Sequence, residues 1–369
     1  MEAWLVLLRT THFAATLSIF GIASFGLFVL RPALCGVGAA LREPNAFARR
    51  LRGAGWISLA LWLVTLLLWL LAETTSMSGQ TLADSLRQDT VATVLARTQF
   101  GQVCLLRLAC GALAAPCLRA DPWRLHGGPS SAGVILLILG AVMLASLTWT
   151  GHAGAMRGWP AVLHLTADSV HLLAAGVWLG GLPPLAMLYG RRARGLRLSA
   201  IRIATGRFST LGLICVGGIA VSGIANAWFT VGTIWLLFES AYGRLVLAKI
   251  LLFAVMVGIA AVNRLILTPR LFGSSLDATS GDAGRTVRRL RRNAIIEAGL
   301  GLLVLAVVGL LGLCAPPTMV ARDGAWPSPE RTRTMPVASR GYVSQRHIDP
   351  AGGAAESVTG ALGSHERVP

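Results

Sequence analysis

Long apolar runs recur along this chain from Trp4 to Cys314, and they constrain its fold more than any other feature. Runs of about eighteen or more residues with few charges have the length that an α-helix needs to cross a bilayer. A helix also satisfies its own backbone hydrogen bonds, which the hydrocarbon core requires. Because 54% of the residues are hydrophobic and the mean hydropathy is +0.65, we predict an all-α, polytopic membrane helix bundle.

The apolar runs divide the chain into a membrane domain, residues 1–314, and a C-terminal tail, residues 315–369. The tail is rich in Pro, Gly, Ser and Arg and lacks apolar periodicity, so we predict that it is disordered. Positive charge mostly follows the first run rather than preceding it, so we expect this run to stay as a membrane helix. Eight transmembrane helices are predicted, at residues 4–30, 56–72, 100–118, 132–149, 160–189, 208–231, 242–267 and 294–314.

The charge of the chain is strongly positive, with 33 basic and 16 acidic residues and a formal net charge of +17. The basic residues cluster between apolar runs, above all in the first, fifth and seventh connections. Positively charged connections stay in the cytoplasm, so we predict that both termini lie on the outer side of the membrane. The arginines are then expected to contact lipid headgroups. No groove of interleaved basic and aromatic residues is present, and nucleic acid is not an expected partner.

Five ionisable residues fall on the outer side of this predicted topology. His12 lies in the outer half of the first helix, and His152 follows the outer end of the fourth. In the fifth helix, His164, Asp168 and His171 are spaced by four and three residues and therefore share one face. Ionisable side chains inside a membrane are costly and usually bind a ligand or line a pathway. We therefore predict a metal site on the outer side.

The residue types at this site favour copper. Imidazole suits copper and zinc, and a carboxylate such as Asp168 either binds the metal or orients a ligating histidine such as His171. Met77 and Met156 add thioethers on the same side, which would favour Cu(I), although Cu(II) also fits the set. The alternative role for any single histidine is a hydrogen bond between helices.

Other residues of the chain carry weaker signals. Arg107 and Lys249 lie near the outer ends of their helices, where we expect them to reach the membrane interface by snorkelling. The six cysteines form no C-x-x-C pair, so neither a disulfide framework nor a zinc ribbon is expected. The sequence contains no arrangement of nucleophile and base and no phosphate-binding loop, and we do not predict an enzyme.

Several motifs resemble the bacterial copper-resistance protein D (CopD) family of inner-membrane proteins. The most specific are H-L-L-A-A-G-V-W-L-G-G-L at 171–182, preceded by Asp168, and Y-G-R-L-V-L-A-K at 242–249. Further matches are S-M-S-G, T-G-H-A-G and S-G-I-A-N-A, and the resemblance extends over about residues 5 to 314. It implies copper transport or homeostasis at the bacterial plasma membrane, so the outer side that holds both termini would be the periplasm. Many members have a periplasmic copper-binding partner of the CopC type. His152 and His171 match the family's histidines.

The leading prediction is a protein that accepts copper at the outer histidines and imports it. Two alternatives stay open. The first is a haem-binding electron-transfer protein, in which the outer arginines would pair with propionates. The second is a copper sensor or assembly scaffold that binds the metal without transporting it.

Overall fold

The computed structural model describes residues 2–35, 44–87, 89–123, 130–150, 158–190, 198–273 and 281–318. Within these ranges all regular secondary structure is helical, which confirms the predicted all-α bundle. In the part of the chain that the structure describes, eight helices are long and apolar enough to cross a membrane, as predicted. We number them first to eighth span: Ala3–Cys35, Ala46–Ser78, Gln99–Arg119, Ser131–Trp149, Trp159–Leu188, Leu198–Thr230, Ala241–Gly273 and Asp282–Leu311.

Several spans are composed of more than one helical element. The π-helical turns Gly26–Leu30 and Asn263–Leu267 lie within the first and seventh spans, and a 3₁₀ turn, Ser146–Thr150, ends the fourth. The α-helices are Glu2–Phe25, Arg31–Cys35, Pro44–Ser78, Leu82–Arg87, Thr90–Arg97, Gln99–Arg119, Ser131–Ala145, Trp159–Leu188, Leu198–Thr230, Ile234–Glu239, Ala241–Val262, Thr268–Gly273 and Gly281–Leu311.

Each of the eight spans begins before the apolar run that predicted it. The second span starts at Ala46 and ends at Ser78, whereas its apolar run covers residues 56–72. A helix continues through polar residues because each added turn satisfies further backbone hydrogen bonds, so hydropathy alone underestimates its length. Of the predicted tail, residues 315–318 are described and the remainder lies outside the described residues.

Two spans begin with the same type of corner. Thr98 accepts a hydrogen bond from the backbone N–H of Gly101 at 2.9 Å, and Ser240 accepts one from Gly243 at 2.8 Å. A hydroxyl in this position caps a helix start. A Cβ on either glycine would lie 2.1 Å from a carbonyl oxygen of the preceding short helix, so a larger residue would force the corner open. The third and seventh spans are thereby fixed close to the short helices before them.

The first span lies at the centre of the bundle, where it packs against the second, fourth, fifth and eighth spans. In its most apolar window 72% of the residues are buried, compared with 6% in the seventh span. Its closest contact is with the fifth span, where a Cβ on Gly21 would lie only 2.2 Å from the backbone of Gly180. Small residues allow such close backbone approach between membrane helices.

This glycine contact sets the relative depth of two candidate ligands. Consecutive spans alternate in direction, so the first and fifth spans run the same way. Counting nine residues back from Gly21 and from Gly180 reaches His12 and His171. Both histidines therefore lie a rise of about 14 Å from the contact, at a similar depth.

Candidate metal centre

His12 is completely buried at the junction of the first three spans, with 0% of its surface exposed. Nη2 of Arg107 contacts Nε2 of the imidazole, and Nδ1 lies 2.9 Å from Oγ1 of Thr65. A guanidinium can only donate, so Nε2 accepts and the proton of the neutral ring is on Nδ1, which donates to Thr65. The hydroxyl of Thr65 in turn donates to the carbonyl of Leu61 at 2.7 Å. Both ring nitrogens of His12 are thus engaged.

Arg107 does not reach the membrane interface, and the expectation that it snorkels is wrong. Its side chain is 0% exposed, because the imidazole of His12 provides an acceptor inside the bundle. Within the described ranges, its Nε and Nη1 atoms have no hydrogen-bond partner. The guanidinium covers the lone pair that a metal ion would need. His12 could therefore become a ligand only if Arg107 moved away.

An aromatic and ionic group surrounds this pair and ties the first span to its neighbours. The ring centroids of His12 and Trp69 are 5.4 Å apart, and Trp69 Nε1 donates to Glu73 Oε1 at 2.9 Å. Arg9 forms a 3.2 Å ion pair with Glu73 and donates to the carbonyl of Gly312 at 2.9 Å. These contacts join the first, second and eighth spans, and the Arg9 charge is balanced locally by Glu73.

His171 is held differently, at the packing of the fifth and sixth spans. Its Nδ1 lies 3.1 Å from Oγ of Ser222, whose hydroxyl donates to the carbonyl of Gly218 at 2.5 Å. Ser222 therefore accepts the Nδ1 proton, and the Nε2 lone pair stays available for a ligand, as in many metal sites with a fixed tautomer. A Cβ on Gly223 would lie 3.4 Å from the ring, so glycine there leaves room for the imidazole.

Asp168 lies in a polar group formed by three consecutive spans. Asn226 Nδ2 donates to Asp168 Oδ1 at 3.1 Å. The Asn226 Oδ1 atom is buried and has no hydrogen-bond partner in the part of the chain that the structure describes. Lys249, from the seventh span, lies within electrostatic range of both Asp168 and His171. A carboxylate and an imidazole thus share one cationic neighbour, Lys249.

Of the remaining predicted ligands, the structure describes His164 and Met77. His164 is buried and stacks on Phe229, with ring centroids 4.9 Å apart and planes inclined by 20°. Met77 is 54% exposed at the end of the second span. His152 and Met156 lie outside the described residues. Across the described ranges, no three His, Cys, Asp or Glu side chains come close enough together to hold one metal ion.

Several polar side chains that contact the candidate ligands from other spans were not predicted from the sequence. Ser222 and Asn226 are four residues apart on one face of an otherwise apolar helix, and this spacing was the available signal for a polar group facing the fifth span. Glu297 in the eighth span was also missed, although an acidic residue inside an apolar run is unusual. Thr65 gave no signal, because a threonine in a membrane helix commonly bonds its own backbone.

Eight apolar spans that enclose buried histidine, arginine and aspartate side chains define a polytopic membrane protein with a polar centre. Residues 202–311 match the family model described as Copper resistance protein D, and residues 1–163 match the model Copper resistance protein D-like, N-terminal domain. The chain therefore belongs to the copper-resistance protein D family, as its motifs predicted.

Two relatives illustrate how completely the chain matches this family. It is 30% identical to Copper resistance protein D of Pseudomonas syringae pv. tomato over 314 residues, which cover 84% of this chain and 96% of that protein. It is 26% identical to Inner membrane protein YebZ of Escherichia coli (strain K12) over 316 residues, which cover 84% of this chain and 98% of the relative. The similarity therefore spans nearly the whole length of both relatives.

Proposed function

We propose that this protein binds copper on the periplasmic side of a bacterial inner membrane and transports it to the cytoplasm. Its family supports a role in copper homeostasis or resistance. The observation that carries the proposal is the geometry of His171, whose Nδ1 is fixed by Ser222, so that Nε2 is the nitrogen left for a ligand, three residues after Asp168 on the same helix. A separate periplasmic protein of the CopC type would deliver the metal.

The proposed ligand set centres on His171 and His152, with Asp168 as a direct or orienting carboxylate. His164 and, after displacement of Arg107, His12 would complete the set. Imidazole and carboxylate suit Cu(II), whereas added thioethers from Met77 and Met156 would favour Cu(I). Asn226 supports this arrangement because its amide holds one oxygen of Asp168 in place.

Lys249 supplies the cation near Asp168 that an incoming copper ion would replace. Two unit charges at 4 Å interact by about 4 kcal/mol at an effective dielectric constant of 20. A copper ion near Asp168 would therefore repel the ammonium group strongly and compete with it for the carboxylate. We propose that loading the metal displaces Lys249, so that the net charge of the buried group changes little.

Copper content of the purified protein tests the site. We expect His152→Ala and His171→Ala each to reduce bound copper, measured by plasma mass spectrometry, because each removes an imidazole ligand. His126→Ala is the matched control, since His126 falls in a connection predicted to be cytoplasmic. If both site variants retained the wild-type stoichiometry, the ligand assignment would be wrong.

Transport is tested separately, by cellular copper accumulation in strains with and without the chain. Import predicts more copper in cells that express it, and an unchanged content under copper load would favour the sensor or scaffold instead.

The haem alternative has one supporting observation, the similar depth of His12 and His171 on two packed spans. A Soret band in the purified protein would support that alternative, and a spectrum without the band would remove it.

A further inference from the structure

Glu297 is a buried carboxyl group in the eighth span, with 2% of its surface exposed. Asn263 Nδ2 donates to its Oε1 atom at 2.7 Å, and Asn293 Nδ2 donates to Asn263 Oδ1 at 2.7 Å. The two amides thus form a directed chain of hydrogen bonds that ends on the carboxyl group. Asn263 begins the π-helical turn of the seventh span, and such turns occur frequently at functional sites.

Among the described residues, no basic side chain forms an ion pair with this carboxyl group. The ion pairs between described residues are Arg9–Glu73 and Arg285–Asp282, and no basic nitrogen in the described ranges lies within 4.0 Å of Glu297. Burying an ionised carboxylate without a cation costs several kcal/mol. A buried carboxyl group avoids this cost by taking up a proton. Acidic residues within membrane spans mark proton pathways for this reason.

Glu297 lines a cavity of about 300 Å³ between the fifth, sixth, seventh and eighth spans. A volume of this size can hold on the order of ten water molecules, at about 30 Å³ each. Among the described residues, two other ionisable side chains line it, and both have hydrogen-bond partners. The Tyr189 hydroxyl lies 2.8 Å from Oγ1 of Thr205, and Arg264 Nη1 donates to Oγ of Ser209 at 2.9 Å. Water that enters the cavity would meet these polar side chains and could exchange protons with the carboxyl group.

The lining of the cavity argues against a second copper site. No histidine or cysteine of the described part of the chain lines it, and most of its wall is apolar, including Trp178, Leu182 and Phe208. Copper prefers imidazole, thiolate and thioether ligands. Arg264 also places a fixed positive charge on the wall, which would repel a metal ion. A proton is therefore the cation that fits the residues lining this cavity.

The cavity lies in the opposite half of the bundle from the histidines. In the fifth span it is lined by Trp178 to Tyr189, beyond His171 toward the end of the helix. The seventh span shows the same order, with Lys249 near its start and the Asn263 turn near its end. The protein therefore carries two separate ionisable centres, one in each half.

We infer that Glu297 is a proton-binding site in the half of the bundle opposite the histidines. A proton from cavity water forms the O–H bond on the carboxylate and returns to that water when the group ionises. Coupling of this proton to copper movement rests on the proposed function, whereas proton binding itself does not.

Infrared difference spectroscopy on the full-length protein in proteoliposomes tests the inference without copper. A step in pH is expected to produce, among the C=O bands of protonated carboxylic acids, one band in the wild type that is missing in Glu297→Gln. Glu73→Gln is the matched control and should keep the band, because Glu73 is already paired with Arg9. Asn263→Ala should shift the band to higher frequency, since the acid loses the amide that donates to it.

Two outcomes would overturn the inference. One is an identical set of spectra for the wild type and a folded Glu297→Gln, with folding checked by circular dichroism. The other is an unshifted band in Asn263→Ala, which would place the titrating group elsewhere. Failure of the copper-content experiment would leave both of these readouts unchanged, so the two proposals fail independently.

Discussion

At the scale of single residues, His12 and Arg107 form a buried pair whose two members have unequal roles in stability. The guanidinium carries a charge that it cannot lose, and His12 is the hydrogen-bond partner that it has among the described residues. The imidazole is neutral and has a second partner in Thr65. Loss of the histidine therefore leaves a buried charge without an acceptor, whereas loss of the arginine leaves one neutral acceptor unpaired.

We expect His12→Leu to destabilise the protein more than Arg107→Met does. Leaving a buried charge without its partner costs about 3–5 kcal/mol, and an unpaired neutral acceptor costs about 1–3 kcal/mol. The double variant should recover part of the loss, because it removes the charge as well. Thermal unfolding in detergent, followed by circular dichroism, measures all three. Equal losses in the two single variants, with an additive double variant, would contradict this account.

The contrast between His12 and His171 also shows what the sequence could predict about the site. Both histidines were identified from their positions in apolar runs, and the fifth-span motif correctly indicated the family. Whether a histidine nitrogen can bind a metal depends on side chains from other spans. Arg107 covers the Nε2 lone pair of His12, whereas Ser222 bonds Nδ1 of His171 and leaves Nε2 of that ring available. Periodicity along one helix contains no information about these partners. The candidates were therefore predictable and their hydrogen-bonding states were not.

At the scale of helices, the contact between Gly21 and Gly180 sets how closely the first and fifth spans pack. A Cβ at Gly21 would lie 2.2 Å from the carbonyl carbon of Gly180, and this neighbour is backbone that cannot rotate aside. Hydropathy predicted both helices but gave no indication of which faces meet, because apolar residues surround each helix on all sides. In a bilayer the tight contact of small residues, rather than hydrophobicity, selects the packed face.

Gly21→Val should therefore lower the folding yield and thermal stability of the protein. Overpacking of a well-packed core costs about 1–3 kcal/mol, and a backbone neighbour makes the upper end of this range the expectation. Gly258→Val is the matched control, because Gly258 is exposed in the seventh span and nothing lies within 4 Å of a Cβ there. Size-exclusion chromatography and thermal unfolding measure the difference. Wild-type folding yield and stability in both variants would contradict the close packing of Gly21 against Gly180.

At the scale of the whole molecule, the number of spans could be predicted from the sequence but their lengths and packing could not. Long apolar runs have few physical alternatives in lipid, and all eight appear as helices. The short helices before the third and seventh spans were missed, because they depend on capping hydroxyls and close glycine contacts. The predicted orientation of the bundle rests on the arginine-rich connections, and the proposed direction of copper transport rests on that orientation.

Fusions to alkaline phosphatase test this orientation, because the enzyme requires disulfides that form in the periplasm and not in the cytoplasm. We expect high activity for fusions after Gly79 and after Cys314, and low activity for fusions after Arg194 and after Leu276. Fusions to a fluorescent protein that folds in the cytoplasm should give the reciprocal result. The reverse pattern would place His12 and His171 on the cytoplasmic side, and the same ligands would then accept copper from the cell and favour export over import.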